Sequence, residues 1–129
     1  MKTILIVEDV ELNRDLLMQL LEEQYRLLVA EDGESALERV AETEPDLILM
    51  DLWLPRLSGW EVARRLKADD RFAHIPIVAL SAHAMHGDEA RARASGCDDF
   101  LTKPIDEAQL FQTLARHLGN RTPDHLDRR

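Results

Sequence analysis

Two kinds of segment alternate along the chain. The first is short, apolar and continuous: TILIV (3–7), LLVA (27–30), DLILM (46–50), PIVAL (76–80) and DFLT (99–102). Such runs are too short for good helices and lack the in–out alternation of a half-exposed strand. They predict strands covered on both faces, as in a parallel sheet. The second kind is longer and amphipathic. Leu12, Leu16, Leu17, Leu20 and Leu21 recur at helical spacing, as do Ala36, Leu37, Val40 and Ala41; Val62, Ala63 and Leu66; and Leu110, Phe111, Leu114, Ala115 and Leu118. A further helix is expected over residues 87–95, with Ala90 and Ala94 as its main apolar anchors. So weak an attachment predicts that it is the mobile helix. Asp32 with Gly33, and Ser58, stand where helices should begin. Pro45 and Pro76 stand just before strands, where a missing N–H does least harm. Five strands and five helices in strict alternation predict an α/β fold, a doubly wound five-stranded parallel sheet. One domain is expected over residues 1–119, followed by an aperiodic, flexible tail over 120–129.

Composition narrows the class. With 129 residues, 45% hydrophobic and 32% charged, the chain fits one globular domain that folds without staples. A single cysteine, Cys97, excludes an internal disulfide and fits a reducing compartment. The apolar run at the N-terminus meets acids by residue 8, too soon for a signal peptide or a membrane span, so a cytoplasmic location without membrane attachment is expected. Twenty-five acids against 16 bases give a net charge of −9. That balance argues against a phosphate-backbone ligand and for protein partners instead of nucleic acid.

The chemistry lies at the strand ends. In a parallel α/β sheet, ligands bind outside the carboxyl ends of the strands. Glu8 and Asp9 directly follow the first strand and Asp51 directly follows the third, which places Asp51 at the strand's mouth and not buried within it. Carboxylates this close repel one another, and a divalent cation relieves the repulsion. An all-oxygen donor set with room for water and phosphate oxygens suits Mg²⁺ better than zinc. The plainer alternative is that Glu8 and Asp9 only cap the first helix; together with Asp51 at the neighbouring strand end, the site is the favoured reading. Ser81 and Lys103 end the fourth and fifth strands at the same edge. A hydroxyl donor and a point positive charge are what a carboxylate-bound phosphoryl group would need.

These residues resemble a known family. ILIVED at the start, DLILMDLWLP in the middle, ALSA and then LTKPI are similar to the response-regulator receiver domain, the CheY-like fold, from about Lys2 to Gly119. Within it the chain looks most like single-domain receivers of the DivK type and those fused to hybrid kinases. The resemblance implies that Asp51 is the phosphoacceptor, fed by a sensor histidine kinase or a histidine phosphotransfer protein. It implies that Glu8, Asp9, Asp51 and the backbone carbonyl of Trp53 hold Mg²⁺, that Lys103 contacts the phosphoryl group, and that Ser81 moves to hydrogen-bond it while Phe100 turns inward. It also implies a cis Lys103–Pro104 bond. Output would follow by onward phosphotransfer or by docking of a protein on the fourth helix, fifth strand and fifth helix, from a monomer or weak dimer. Such a protein is no enzyme beyond catalysing its own phosphorylation and slow dephosphorylation.

Several residues keep two readings. Trp53 and His83 lie two residues beyond Asp51 and Ser81, positions that in the family set the phosphoryl lifetime. Trp53 either shields the acyl phosphate from water or only packs on a loop. His83, His86 and Asp88 read better as a solvated loop than as a metal site. Cys97 reads as a packing residue, Asp98 and Asp99 as a cap or turn, and Trp60 as either a surface contact or helix packing. Two other functions compete: a phosphatase of the haloacid-dehalogenase type, which needs a second acid where Trp53 stands, and a structural pseudo-receiver, which usually lacks one of the five site residues found here.

Overall fold

A computed structural model describes residues 1–82 and 87–119. His83, His86 and the expected tail lie outside the described residues. The elements run β1 (Thr3–Val7), α1 (Glu11–Leu21), β2 (Arg26–Ala30), α2 (Gly33–Glu42), β3 (Leu47–Asp51), α3 (Gly59–Ala68), β4 (Ile77–Ser81), α4 (Asp88–Ala94), β5 (Asp99–Thr102) and α5 (Glu107–Leu118). All strand pairings are parallel, in the order β2-β1-β3-β4-β5. The chain therefore winds outward from β1 in one direction to β2, and in the other through β3, β4 and β5. The two directions part between β1 and β3, and there a crevice opens at the carboxyl ends of the strands.

The continuous apolar runs are explained by helices on both faces. Alternate residues of each strand point to opposite sides. Leu5, Val7, Ile48, Met50, Ile77 and Ala79 join one core with Ala36, Val40, Val62, Ala63 and Leu66, whereas Ile4, Ile6, Leu47, Leu49, Val78 and Leu80 join the other with Leu17, Leu21, Leu110 and Leu114. Thus α2, α3 and α4 cover one face, and α1 and α5 the other. Asp32 and Ser58 cap α2 and α3 as expected, accepting from the N–H groups of Ser35 and Glu61. No helix among the described residues is long and apolar enough to cross a membrane.

Three expectations need correction. The apolar anchor of α4 is Ala92, which is fully buried, while Ala90 and Ala94 are exposed. Asp88 in its first turn is buried as well. Alanines at 90, 92 and 94 recur at a spacing that does not select a helix face, so the sequence alone left the choice open. Asp51 is the last residue of β3, paired with Leu80, and only 5% exposed, so it is buried in the strand as well as standing at its mouth. Asp98 is neither cap nor turn; its carboxylate accepts from the N–H of Ile77 and from Lys67, joining β4 to α3.

Candidate phosphoryl and cation site

The register of the sheet sorts the site residues by face. Along β3, position 51 shares the side of Leu47 and Leu49, towards α1 and α5. Along β4, position 81 shares the side of Ile77 and Ala79, towards α4. The hydrogen bonds follow that division. Lys103, just beyond β5, donates to Glu8 Oε1 at 2.7 Å and to Asp51 Oδ2 at 3.2 Å. Ser81 instead donates to Asp88 Oδ2 at 2.5 Å.

Glu8, Asp9 and Asp51 come together, each offering a carboxylate oxygen within 4.8 Å of the others. Glu8 and Asp51 are buried and Asp9 is exposed. The loop after β1 is held in place by the N–H of Val10, which donates to Glu8 Oε2 at 3.2 Å, and by Arg14, which donates to the Glu8 carbonyl at 3.0 Å. The loop after β3 is held by the N–H of Trp53, which donates to Asp51 Oδ1 at 3.0 Å. Burial pushes the Glu8 carboxyl above its ordinary range; the hydrogen bond from Lys103 pulls it back without cancelling the rise, and the like charge of Asp51 adds to it. Burial alone would lower the Lys103 ammonium, but its bond to Glu8 and the charges of Asp51 and Glu8 outweigh that and raise it. Lys103 is a fixed positive charge, and three carboxylates against one lysine leave the cluster negative.

Trp53 is anchored away from this cluster. Its indole N–H donates to Asp88 Oδ2 at 2.9 Å, and its ring meets Trp60 edge-on at 4.9 Å. Trp60 is buried in the core, which settles it as helix packing, and Arg91 of α4 stacks on it at 3.8 Å. Phe100 is half-buried on the α4 side, packed against the same core. Lys103–Pro104 is cis. Cys97 is buried in the core, its thiol pushed up to about 11 by burial and by Asp98. His83 lies outside the described residues.

Two features were not anticipated. Glu8 is the closer partner of Lys103, and Asp88 gathers both Ser81 and Trp53. An acid in a helix's first turn reads as a favourable partner of the helix dipole; only strand parity, which turns Ser81 towards α4, would have pointed to Asp88.

Residues 4–115 match the family profile of the response regulator receiver domain. The polar-differentiation response regulator DivK of Brucella anthropi is 44% identical over 120 residues, covering 92% of this chain and 98% of that protein. Among solved structures, the receiver domain of a Pseudomonas aeruginosa sensor histidine kinase, with magnesium coordinated in its active-site cleft, superposes with a TM-score of 0.86 at 34% identity, covering 92% and 98% of the two chains. A Saccharomyces cerevisiae receiver domain, crystallised with the histidine phosphotransfer protein upstream of it, superposes with a TM-score of 0.83 at 31% identity, covering 90% and 88%.

Proposed function

The chain belongs to the response regulator receiver domain family, and from that premise we propose that Asp51 accepts a phosphoryl group from a partner's phosphohistidine, with Mg²⁺ bound by Glu8, Asp9, Asp51 and the Trp53 carbonyl. The observation that carries this reading is the convergence of three carboxylates, of which the two buried ones, Glu8 and Asp51, share one lysine. Such a cluster leaves negative charge uncompensated, and its oxygen-only donors suit a hard divalent cation. When bound, the cation neutralises charge on the transferring phosphoryl oxygens. The Trp53 N–H, already on Asp51 Oδ1, orients the carboxylate. An Asp51 oxygen attacks phosphorus as the P–N bond breaks, the electron pair returning to the imidazole, which keeps a ring nitrogen as a base. Lys103 then pairs with a phosphoryl oxygen in place of the Asp51 oxygen it now holds. Ser81 reaches the phosphoryl group from the α4 side, and Phe100 packs inward behind it. The domain acts as a signalling regulator; its chemistry is confined to its own phosphorylation and slow dephosphorylation.

The donor's docking surface follows from α1. Leu12 and Leu16 are 66% and 51% exposed beside Val10 at 47%, and a groove of about 530 Å³ runs from Leu16 and Leu20 to Lys103, Pro104 and Ile105. That apolar strip suits helices of a histidine kinase or histidine phosphotransfer protein, and the yeast receiver domain was crystallised with a partner of the latter kind. The face of α4, β5 and α5 remains for the downstream protein. A haloacid-dehalogenase phosphatase is disfavoured: in place of its second acid stands Trp53, whose indole N–H is directed to Asp88.

Intact mass after incubation with acetyl phosphate tests the reading. One phosphoryl increment that requires Mg²⁺ and is lost in Asp51→Asn is expected. No increment from acetyl phosphate or from a phosphorylated histidine phosphotransfer protein would overturn it. Trp53→Ala measured alongside decides whether the indole sets the lifetime, for unchanged decay leaves it a packing residue.

A further inference from the structure

Asp88 is only 4% exposed, yet it is a carboxylate. Among the described residues two side-chain donors satisfy it, both on Oδ2: the Ser81 hydroxyl at 2.5 Å and the Trp53 indole N–H at 2.9 Å. Both come from strand-end segments of the phosphoryl site. The backbone of Trp53 binds Asp51 while its ring binds Asp88. The rest of α4's attachment is slight. Ala92 is its one buried apolar side chain, Arg91 stacks on Trp60, and Arg93 reaches the Asp98 carbonyl at 3.5 Å and Asp99 at 3.8 Å from an exposed position.

We infer that Asp88 is a positioning residue, which holds Ser81 and α4 in the resting arrangement by competing with the phosphoryl group of Asp51 for the Ser81 hydroxyl. The inference rests on the phosphoacceptor reading. A serine hydroxyl has one proton to donate. Given to a phosphoryl oxygen, it is withdrawn from Asp88, and among the described residues a buried carboxylate is left with the indole alone. A buried charge that loses a hydrogen bond is costly. The economical relief is for the first turn of α4 to move until Asp88 meets water. The exchange of one hydrogen bond thus couples the site to the helix through a named atom.

The test is amide NMR of Ala92, Phe100 and Leu101 in the full chain, for the parent, Asp88→Asn and Asp88→Ala, with Mg²⁺ and with or without excess acetyl phosphate. In the unphosphorylated variants these amides should lie displaced along the line joining the parent's two end points. The shift expected is roughly tenfold or more in the two-state constant, as for loss of a hydrogen bond to a charged acceptor. The phosphorylated spectra of parent and variants should converge. Asp88→Asn keeps the volume, so it decides the matter if Asp88→Ala does not fold. Unphosphorylated amides at the parent's position, or displaced off that line in both states, would overturn the inference, the latter marking a merely structural role. No phosphoryl increment on the parent would instead overturn the phosphoacceptor reading, and this inference with it.

Discussion

Glu8 is fully buried, carries a charge beside Asp51, and holds Lys103 at 2.7 Å. Its raised pKa means that the folded chain holds the proton more tightly than the unfolded chain does. Such a group leaves stability intact below its unfolded value of about 4.5. As pH rises through the higher folded value, the unfolded chain ionises first and stability falls. In metal-free protein, Glu8→Gln should therefore raise the thermal midpoint at pH 7 by several degrees, and the difference should close as pH falls towards 4.5. A lower midpoint at pH 7 would mean that the charge-assisted bond to Lys103 outweighs burial. Cys97 gives an independent check. With its thiol near 11 against an ordinary 9.0, the thiolate at pH 8 is about a hundredfold scarcer than in the unfolded chain, by the usual tenfold per pH unit. Iodoacetamide should leave the folded protein largely unmodified and label it readily in urea; equal rates would show that the thiol is accessible.

At the scale of elements, α3 and the loop after β3 are set by one close approach. A Cβ on Gly59 would lie 2.4 Å from the Asp51 carbonyl oxygen and 2.8 Å from the Leu52 Cα. Both are backbone atoms that no rotamer change can move. Gly59→Ala should cost about 1–3 kcal/mol in urea unfolding and slow phosphorylation by displacing the strand end that carries Asp51. Helix α1 supports the opposite kind of prediction. Replacing Leu12 and Leu16 by Glu should alter stability by no more than about 0.5 kcal/mol. The same change should slow transfer from a histidine phosphotransfer protein far more than transfer from acetyl phosphate, and equal slowing would place the docking surface elsewhere. The same helix shows what the sequence could convey. Its five leucines announce an amphipathic helix, but Leu17 and Leu21 alone are fully covered; how much of an apolar stripe the core covers depends on the neighbouring elements, which periodicity does not describe. The strands were legible because TILIV, LILMD and IVALS are buried throughout, and two-sided burial leaves an unbroken apolar run. The Asp88 pairing was hidden because it depends on which side of the sheet position 81 faces.

The whole molecule brings one further effect within reach of measurement. Strands β1 and β3 converge where the winding reverses, so acids 43 residues apart in sequence, Glu8 and Asp51, share a buried edge closed by Lys103 from beyond β5. A cation at that edge would tie two separate strand-end segments of the folded chain together and would find no such arrangement in the unfolded one. Binding to the native state alone stabilises it by mass action, about 2.7 kcal/mol at a hundredfold excess over Kd, which should appear as a rise of several degrees in the thermal midpoint. The chain's net charge of −9 supplies a competing explanation, because any salt screens repulsion among exposed acids. The two separate by background. At 0.15 M potassium chloride the screening length is already about 8 Å, so a few millimolar Mg²⁺ adds little to general screening but still fills a specific site. The rise should persist at that ionic strength, should not be reproduced by added sodium chloride, and should vanish in Glu8→Gln and Asp9→Asn. A rise that disappears in potassium chloride, or survives both substitutions, would assign the stabilisation to the acidic surface and remove the cation from the Asp51 site.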